Sequence, residues 1–373
     1  MATRLQALVR RAVAPLRRNG DAAFLEQAYA ELLGRPPDPD GRATYLQAMA
    51  RGAMTRGDVA LDLAASAEHR EHAARNRGVR VFGSPSLPDL TGERADRYEL
   101  GVDLLGRELL AFNVGDPSDF DWLERRIRET GYYDHDGVWT LDIDLDKRVM
   151  AELIASLQPG SVLELGCSSG AVLAGLAERG IDVTGVDVSE HARAQALPTV
   201  RDRIVLGDLL TLDLPGGHDV VVGLDVFEHL NPNRLPEYLD TLASLVRDGG
   251  WCVANIPAFG DDPVFGTVFD DYLEDPGSPR LFTRVHVDDR GYPLHGHLIW
   301  ATWHWWVDRF EEAGFERRQN VERAIQERYG DHWQAVSPAR RPTFVFRKGD
   351  GTDGEDALVA SIRSHGSTVL SSS

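Results

Sequence analysis

Two short stretches concentrate the residues able to move protons. DVFEHL places Asp225, Glu228 and His229 close together, and HGHLIWATWHWW carries His295, His297 and His304 with Trp300, Trp303, Trp305 and Trp306. An imidazole changes charge near neutral pH, and neighbouring carboxylates favour its protonated form. His229 is therefore the first candidate for a general base acting on a hydroxyl acceptor. His295 and His297, which alternate along an extended stretch, are the next candidates. His286 adds an imidazole in the same region, but a zinc site from these histidines lacks the usual spacing and a cysteine partner. The four tryptophans cannot share one helical face, so at least one is expected to point into a cleft. There an indole stacks on a sugar or an aromatic ring.

A different chemistry belongs to VLELGCSSG at residues 162–170. An apolar strand that breaks at Gly166 and closes on Gly170 lets bare backbone approach a ligand. The amides that open the following helix favour a carboxylate or phosphate. Asp187, ending the next strand in VTGVDVSE, is placed to accept hydrogen bonds from ribose hydroxyls. Asp208, in VLGDLL, is placed to accept from the amino group of an adenine. A nicotinamide or flavin site wants G-x-G-x-x-G, and the third glycine is missing here. On the residues alone, a loose dinucleotide site stays open.

Alternating strands and helices must hold these groups. SVLELGC reads as a strand, GAVLAGLAER as a helix, IDVTGVD as a strand, and a helix follows Ser189. RIVLGD and HDVVVGL are strands. NPNRLPEYLDTLASLVRDGG is a helix with Asn231 as cap, Pro232 in its first turn and Gly249-Gly250 as stop. WCVANIP, a Trp-rich helix ending EEAGF, and the strand TFVFRK complete the pattern. Such alternation predicts an α/β fold with a doubly wound, mostly parallel sheet and ligands beyond the strands' carboxyl ends. Asp142, Asp144 and Asp146 mimic the start of a calcium loop. However, Lys147 stands where the glycine belongs and Leu153 where the glutamate belongs, so this is a strand-like or helix-entry segment.

Ahead of that domain, residues 21–72 read as three short helices in a small bundle. Asp21 is expected to cap the first, Gly34 and Pro36-Pro37 end it, Asp40-Gly41 turns into the second, and Thr55 starts the third. Residues 1–20 carry Arg4, Arg10, Arg11, Arg17 and Arg18 at the edges of an apolar helical stripe. That basic amphipathic helix would pack on the next domain, or make a peripheral contact with anionic lipid or a partner. Residues 73–95 read as a linker and 96–348 as one domain, helical over 96–158. Its cofactor core covers about 150–258, and an acceptor-side insertion about 259–300. The Gly-, Ser- and Asp-rich residues 349–373 are expected to be disordered.

The chain has 373 residues, a net charge of −19 and two cysteines. The charge argues against a nucleic-acid partner, since phosphate contacts need lysine and arginine. Two cysteines give neither a disulfide framework nor a metal-spaced set. With no apolar run of spanning length and no secretory signal pattern, a cytoplasmic protein without an integral membrane segment is expected.

VLELGCSSG, VTGVDVSE, VLGDLL and HDVVVGLDVFEHL, in this order, resemble the motif set of class I S-adenosylmethionine-dependent methyltransferases over roughly 150–350. The resemblance implies a Rossmann-like, seven-stranded sheet. It also implies Glu164, Gly166, Cys167 and Gly170 around the methionine part of S-adenosylmethionine. Asp187 and Val188 would lie at the ribose, Asp208 and Leu209 at the adenine, and Asp225 near the methionine end. The spacing of Asp225, Glu228 and His229 further resembles a magnesium-binding patch in some such enzymes, although most members with this sequence bind no metal. LLGRPPDPDG with its flanking residues resembles a bacterial helical domain of unknown function found beside glycan-modifying enzymes. The leading expectation is a methyltransferase acting on a hydroxyl of a sugar, glycan or small molecule by direct displacement. The alternatives are methylation of an aromatic or polyketide-like metabolite, and a non-catalytic scaffold that binds cofactor or glycan.

Overall fold

The computed structural model describes residues 21–33, 35–51, parts of 54–66, 93–102, 108–129, 131–134, 143–269, 281–287, 291–352 and 354–364. The expected N-terminal basic helix, most of the expected linker, and Asp142 lie outside these. The chain divides into two units, one of Met1–Leu110 with Val287–Leu294, the other of Ala111–His286 with His295–Ser373.

In the first unit, α1 (Asp21–Leu33) and α2 (Pro39–Ala50) pack through Phe24, Leu25, Ala28, Tyr29 and Leu33, joined by Val59 and Leu63. The second cap is Asp38 rather than the Asp40-Gly41 turn. Its Oδ1 accepts from Gly41 N–H at 2.8 Å, and Pro39 fills the first turn, where its missing donor costs nothing. Asp21 pairs with Arg56 at 2.8 Å. The strand β1 (Tyr98–Val102) and the first half of β2 (Glu108–Asn113) belong here too. They correct the expected helical pattern over 96–158. Tyr98 Oη donates to Gly291 O at 2.8 Å, and Val287 N–H to Leu110 O at 3.1 Å, which draws 287–294 into this unit.

The second unit opens with α3 (Ser118–Glu129) and α4 (Leu145–Ser156), followed by β3 (Ser161–Leu165) and α5 (Ala171–Ala177). Then come β4 (Asp182–Asp187), α6 (Glu190–Ala194), β5 (Ile204–Leu206), β6 (His218–Leu224), α7 (Leu235–Leu245) and β7 (Val246–Asn255). The insertion holds short pieces: β8 (Ala258–Phe259), β9 (Asp261–Asp262), β10 (Gly266–Thr267), β11 (Arg284–His286) and β12 (Ala301–Thr302). The chain ends with α8 (Trp303–Glu312), β13 (Phe315–Arg317), α9 (Gln319–Ala335), β14 (Thr343–Lys348) and α10 (Glu355–Ser364).

The seven-stranded sheet has the order β13-β14-β7-β6-β3-β4-β5, and β14 runs antiparallel to both of its neighbours. Both faces are covered, so its strands are apolar on both sides. Val162, Val220, Val222, Val253 and Val345 face α4, α5, α9 and α10. Leu163, Val221, Cys252, Phe344 and Phe346, one residue out of step, face α7 and α8. Three expectations fail. The helix α7 starts at Leu235, not at Pro232, and the chain enters β7 at Val246, before Gly249-Gly250. The long α9 was not foreseen. Residues 355–364 are not disordered: Leu358, Val359 and Ile362 are buried at helical spacing against the core. Asp144 caps α4, taking Lys147 N–H at 2.9 Å, which makes the calcium-like stretch a helix entry.

Candidate active site

The loop after β3 is built from left-handed backbone. Gly166, Ser168 and Gly170 have φ of 63°, 50° and 74°. A Cβ on Gly170 would stand 2.7 Å from Val200 Cγ2, so only glycine fits. Asp187, ending the adjacent strand, holds this loop: Oδ2 accepts from Ser168 N–H at 2.7 Å and Oδ1 from Ser189 N–H at 2.8 Å. Val188 beside it is 57% exposed, a large apolar side chain left uncovered. Cys167 is buried under the loop with its thiol pushed up by burial, and neither cysteine forms a disulfide. Glu164, at the end of β3, is fully enclosed. Burial first, then the charge of Asp187, pushes its carboxyl up to about 8, and its Oε2 has no hydrogen-bond partner among the described residues. A buried carboxylate aimed at a bare-backbone loop calls for a cationic or hydrogen-bonding ligand. The cofactor expected from the sequence carries both, as an ammonium and a ribose diol.

Asp208 lies beyond β5, with Leu209 buried next to it. Both carboxylate oxygens accept from Tyr238 Oη at 3.0 Å, and Arg128 and Arg234 stand 3.6 and 4.0 Å away. Sequence reasoning missed these three partners, which come from α3, α7 and the turn before α7. Asn231 and Asn233 extend the same network to Asp121 and Glu124 of α3, at 2.8 Å each.

Asp225 follows β6 with φ 54°, unusual for a residue other than glycine. Its Oδ2 accepts from Arg340 Nη1 at 2.5 Å, so it leaves the Glu228–His229 pair rather than joining it. His297 takes its place. Ligand atoms of Glu228, His229 and His297 all lie within 4.8 Å of one another, with His297 Nε2 3.8 Å from Glu228 Oε1. No metal was expected; of the spacing that resembles a magnesium patch, Glu228 and His229 stay together and His297 stands with them in place of Asp225. Leu298 and Ile299 donate to Glu228 O at 2.8 and 2.9 Å, which stitches the insertion to the strand end. No sequence spacing joins residues 228 and 297; only the fold does.

His295 stands next to this group, its ring centroid 5.6 Å from that of His297, in a left-handed turn with Gly296. A Cβ on Gly296 would lie 2.9 Å from Tyr132 Cε1 and 3.1 Å from His229 Nδ1. Trp300 is the indole that faces the histidines, 5.5 Å from His297 and 4.9 Å from His286. Trp306 is buried in the core, and His304 stacks on Trp303 instead. Tyr133 packs edge-on against His229 at 6.0 Å.

The protonation of His229 is opposite to the sequence expectation. Burial first, then His295, lowers its pKa to about 4, because Glu228 does not supply a counter-charge. The carboxyl of Glu228 is itself pushed well above its usual range by burial and by Asp225. Burial, His229 and His295 hold His297 far below the usual imidazole range. The cluster is thus a group of neutral imidazoles beside a protonation-prone acid.

Residues 143–328 match the family model described as a methyltransferase domain, and residues 17–73 match "Domain of unknown function (DUF4214)". The ubiquinone biosynthesis O-methyltransferase of Bordetella avium is 35% identical over 108 residues, 27% of this chain and 44% of that protein. That of Dechloromonas aromatica is 36% identical over 103 residues, 26% of this chain and 43% of that protein. The chain thus spans less than half the length of these curated relatives. Among solved structures, it is similar to a Burkholderia thailandensis 1,6-didemethyltoxoflavin-N1-methyltransferase with bound S-adenosylhomocysteine. The identity is 19% and the TM-score 0.41, over 65% of this chain and 96% of that one.

Proposed function

We propose that this chain, whose residues 143–328 match the family model of a methyltransferase domain, transfers a methyl group from S-adenosylmethionine to a hydroxyl of a small molecule. The observation that carries this reading is the adjacency of two sites at one end of the sheet. The glycine loop with Glu164 and Asp187 closes β3 and β4, and the Glu228, His229, His297 and His295 cluster follows the neighbouring β6. The bound cofactor supplies an electrophilic methyl on a sulfonium. Asp187 would accept from the ribose hydroxyls, Glu164 and Asp225 from the ammonium, and Asp208 from the adenine amino group. His229, neutral at pH 7, would take the acceptor's proton as the new C–O bond forms in line with the departing sulfur. His295 and His297 would orient the acceptor. Trp300, Tyr132 and Tyr133 offer aromatic faces to either a sugar or an aromatic ring.

A glycan acceptor is supported by Trp300, the indole that faces the histidines. An aromatic acceptor is supported by the names of the curated relatives. Incubation with S-adenosylmethionine and a panel of sugar and phenolic hydroxyls should yield S-adenosylhomocysteine and a product one methyl heavier. Binding of S-adenosylhomocysteine without turnover of any acceptor would leave the scaffold reading. No binding at all would defeat the cofactor assignment.

A second reading is favoured by Glu228, whose two carboxylate oxygens are buried with no hydrogen-bond partner among the described residues. Glu228, His229 and His297 have donors suited to a divalent cation, which would acidify the acceptor hydroxyl in place of an imidazole base. Under this reading chelator abolishes activity and magnesium or manganese restores it. Full activity after dialysis against chelator excludes it.

A further inference from the structure

Arg340 lies in the turn before β14, far in sequence from the glycine loop and outside every motif read above. Because β14 runs antiparallel to β7, its start returns to the end of the sheet where β3 and β6 finish. Buried Asn255, the last residue of β7, fixes the turn there. Its Nδ2 lies 3.1–3.2 Å from Ala339 O, Pro342 O and Thr343 Oγ1, and its Oδ1 accepts from Arg340 Nη1 at 2.7 Å. The same Nη1 donates to Asp225 Oδ2 at 2.5 Å, and Asp225 N–H donates to Asn255 O at 3.0 Å. This bracing sustains the left-handed backbone of Asp225. The guanidinium is 19% exposed, while the Asp225 carboxylate it holds is 43% exposed. Its positive charge reaches both Glu164 on the cofactor side and Glu228 on the acceptor side.

Among the described residues, both hydrogen bonds of the guanidinium use one nitrogen, Nη1, and Nε stands 3.9 Å from Asp146 Oδ2. Beyond Asp225 and Asp146, a planar fork with donors to spare is suited to one further carboxylate, carried by a ligand. Glu164, Asp225 and Asp187 make this end of the sheet rich in acids, which suits an ammonium and a sulfonium. A ligand that also carries a carboxylate needs a cation among those acids, or that carboxylate is repelled.

We propose that Arg340 selects the carboxylate-bearing form of the cofactor, holding Asp225 for the methionine ammonium while donating to the methionine carboxylate. The proposal rests on the cofactor reading above. It makes the turn before the last strand part of the cofactor site.

Calorimetry on the full chain tests it with two probes, S-adenosylhomocysteine and its decarboxylated analogue, which differ only in the carboxylate. The wild type should bind S-adenosylhomocysteine about 10- to 100-fold more tightly, the range for a charge-assisted hydrogen bond. Arg340→Met should lower the affinity for S-adenosylhomocysteine and bring the two probes close to equal, and Arg340→Lys should restore part of the gap. A wild type that binds both probes equally overturns the proposal whatever the variants do. So does an Arg340→Met protein that weakens both by the same factor, since Arg340 would then only brace Asp225. A wild type that binds neither probe defeats the cofactor reading itself, an outcome separate from these.

Discussion

At the scale of single residues, the cofactor side depends on carboxylates that already have backbone partners. Asp187 accepts two loop amides, at 2.7 and 2.8 Å, so Asp187→Ala removes the brace of the glycine loop together with the proposed ribose contact. Affinity for S-adenosylhomocysteine should fall about 30- to 1000-fold by calorimetry. Unchanged affinity would take Asp187 out of the site. His229→Ala should lower turnover about 10²- to 10⁴-fold with cofactor affinity little altered. The pH profile carries the sharper test, since the His229 pKa is depressed to about 4. The imidazole is then neutral across the physiological range, so activity should stay level from about pH 8 to 5 and fall as pH drops toward 4. Half-loss near 6.5 would point to an ordinary, exposed histidine. Glu164 shifts the other way, up to about 8. A folded-state pKa above the unfolded value favours folding at low pH, and that advantage is lost as pH rises through 8. Glu164→Gln should therefore raise the melting temperature relative to wild type more at pH 9 than at pH 6. A gap independent of pH would mean that Glu164 does not hold its proton in the folded protein.

At the scale of elements, β3 to β6 were legible because each is a short apolar run ended or followed at once by glycine or aspartate. SVLEL, DVTGVD and HDVVVGL are all strands in the structure. The glycine loop and Asp187 were legible for the same reason, since both sit where a strand ends. Pairing across the insertion was not legible. His297 reaches Glu228 only because Leu298 and Ile299 bond to the carbonyl of residue 228. The sign of the His229 shift was also hidden, because adjacent acids in the sequence suggest charge stabilisation while burial decides the outcome. The C-terminal segment misled through composition: polar residues around 349–354 masked the apolar stripe of α10. Leu358, Val359 and Ile362 pack with Ile325 and Tyr329 of α9. Ile362→Ala should cost about 2–4 kcal/mol, read as a lower denaturation midpoint at constant m-value. A change under about 0.5 kcal/mol would mean that α10 is not docked in solution.

At the scale of the whole molecule, the division into units says where the chain can be cut. Every residue proposed to hold the cofactor, from Glu164 to Asp225 and including Arg340, belongs to the unit of Ala111–His286 and His295–Ser373. The other unit reclaims Val287–Leu294 through Leu110 and Tyr98. A protein starting at Glu93 keeps those two partners, loses the helical bundle, and should bind S-adenosylhomocysteine as the full chain does. One starting at Ala111 removes the acceptor for Val287 N–H and the donor for Gly291 O, immediately before His295 and His297. Its affinity for S-adenosylhomocysteine should hold, because no cofactor residue is lost. Its turnover of an acceptor should fall by at least about tenfold, because small misplacement of reacting groups costs rate steeply. Calorimetry and turnover on the two truncations separate these outcomes. Loss of cofactor binding already at the Glu93 start would make the bundle part of the cofactor domain. Equal turnover from both would free the 287–294 segment from any role in placing the histidines.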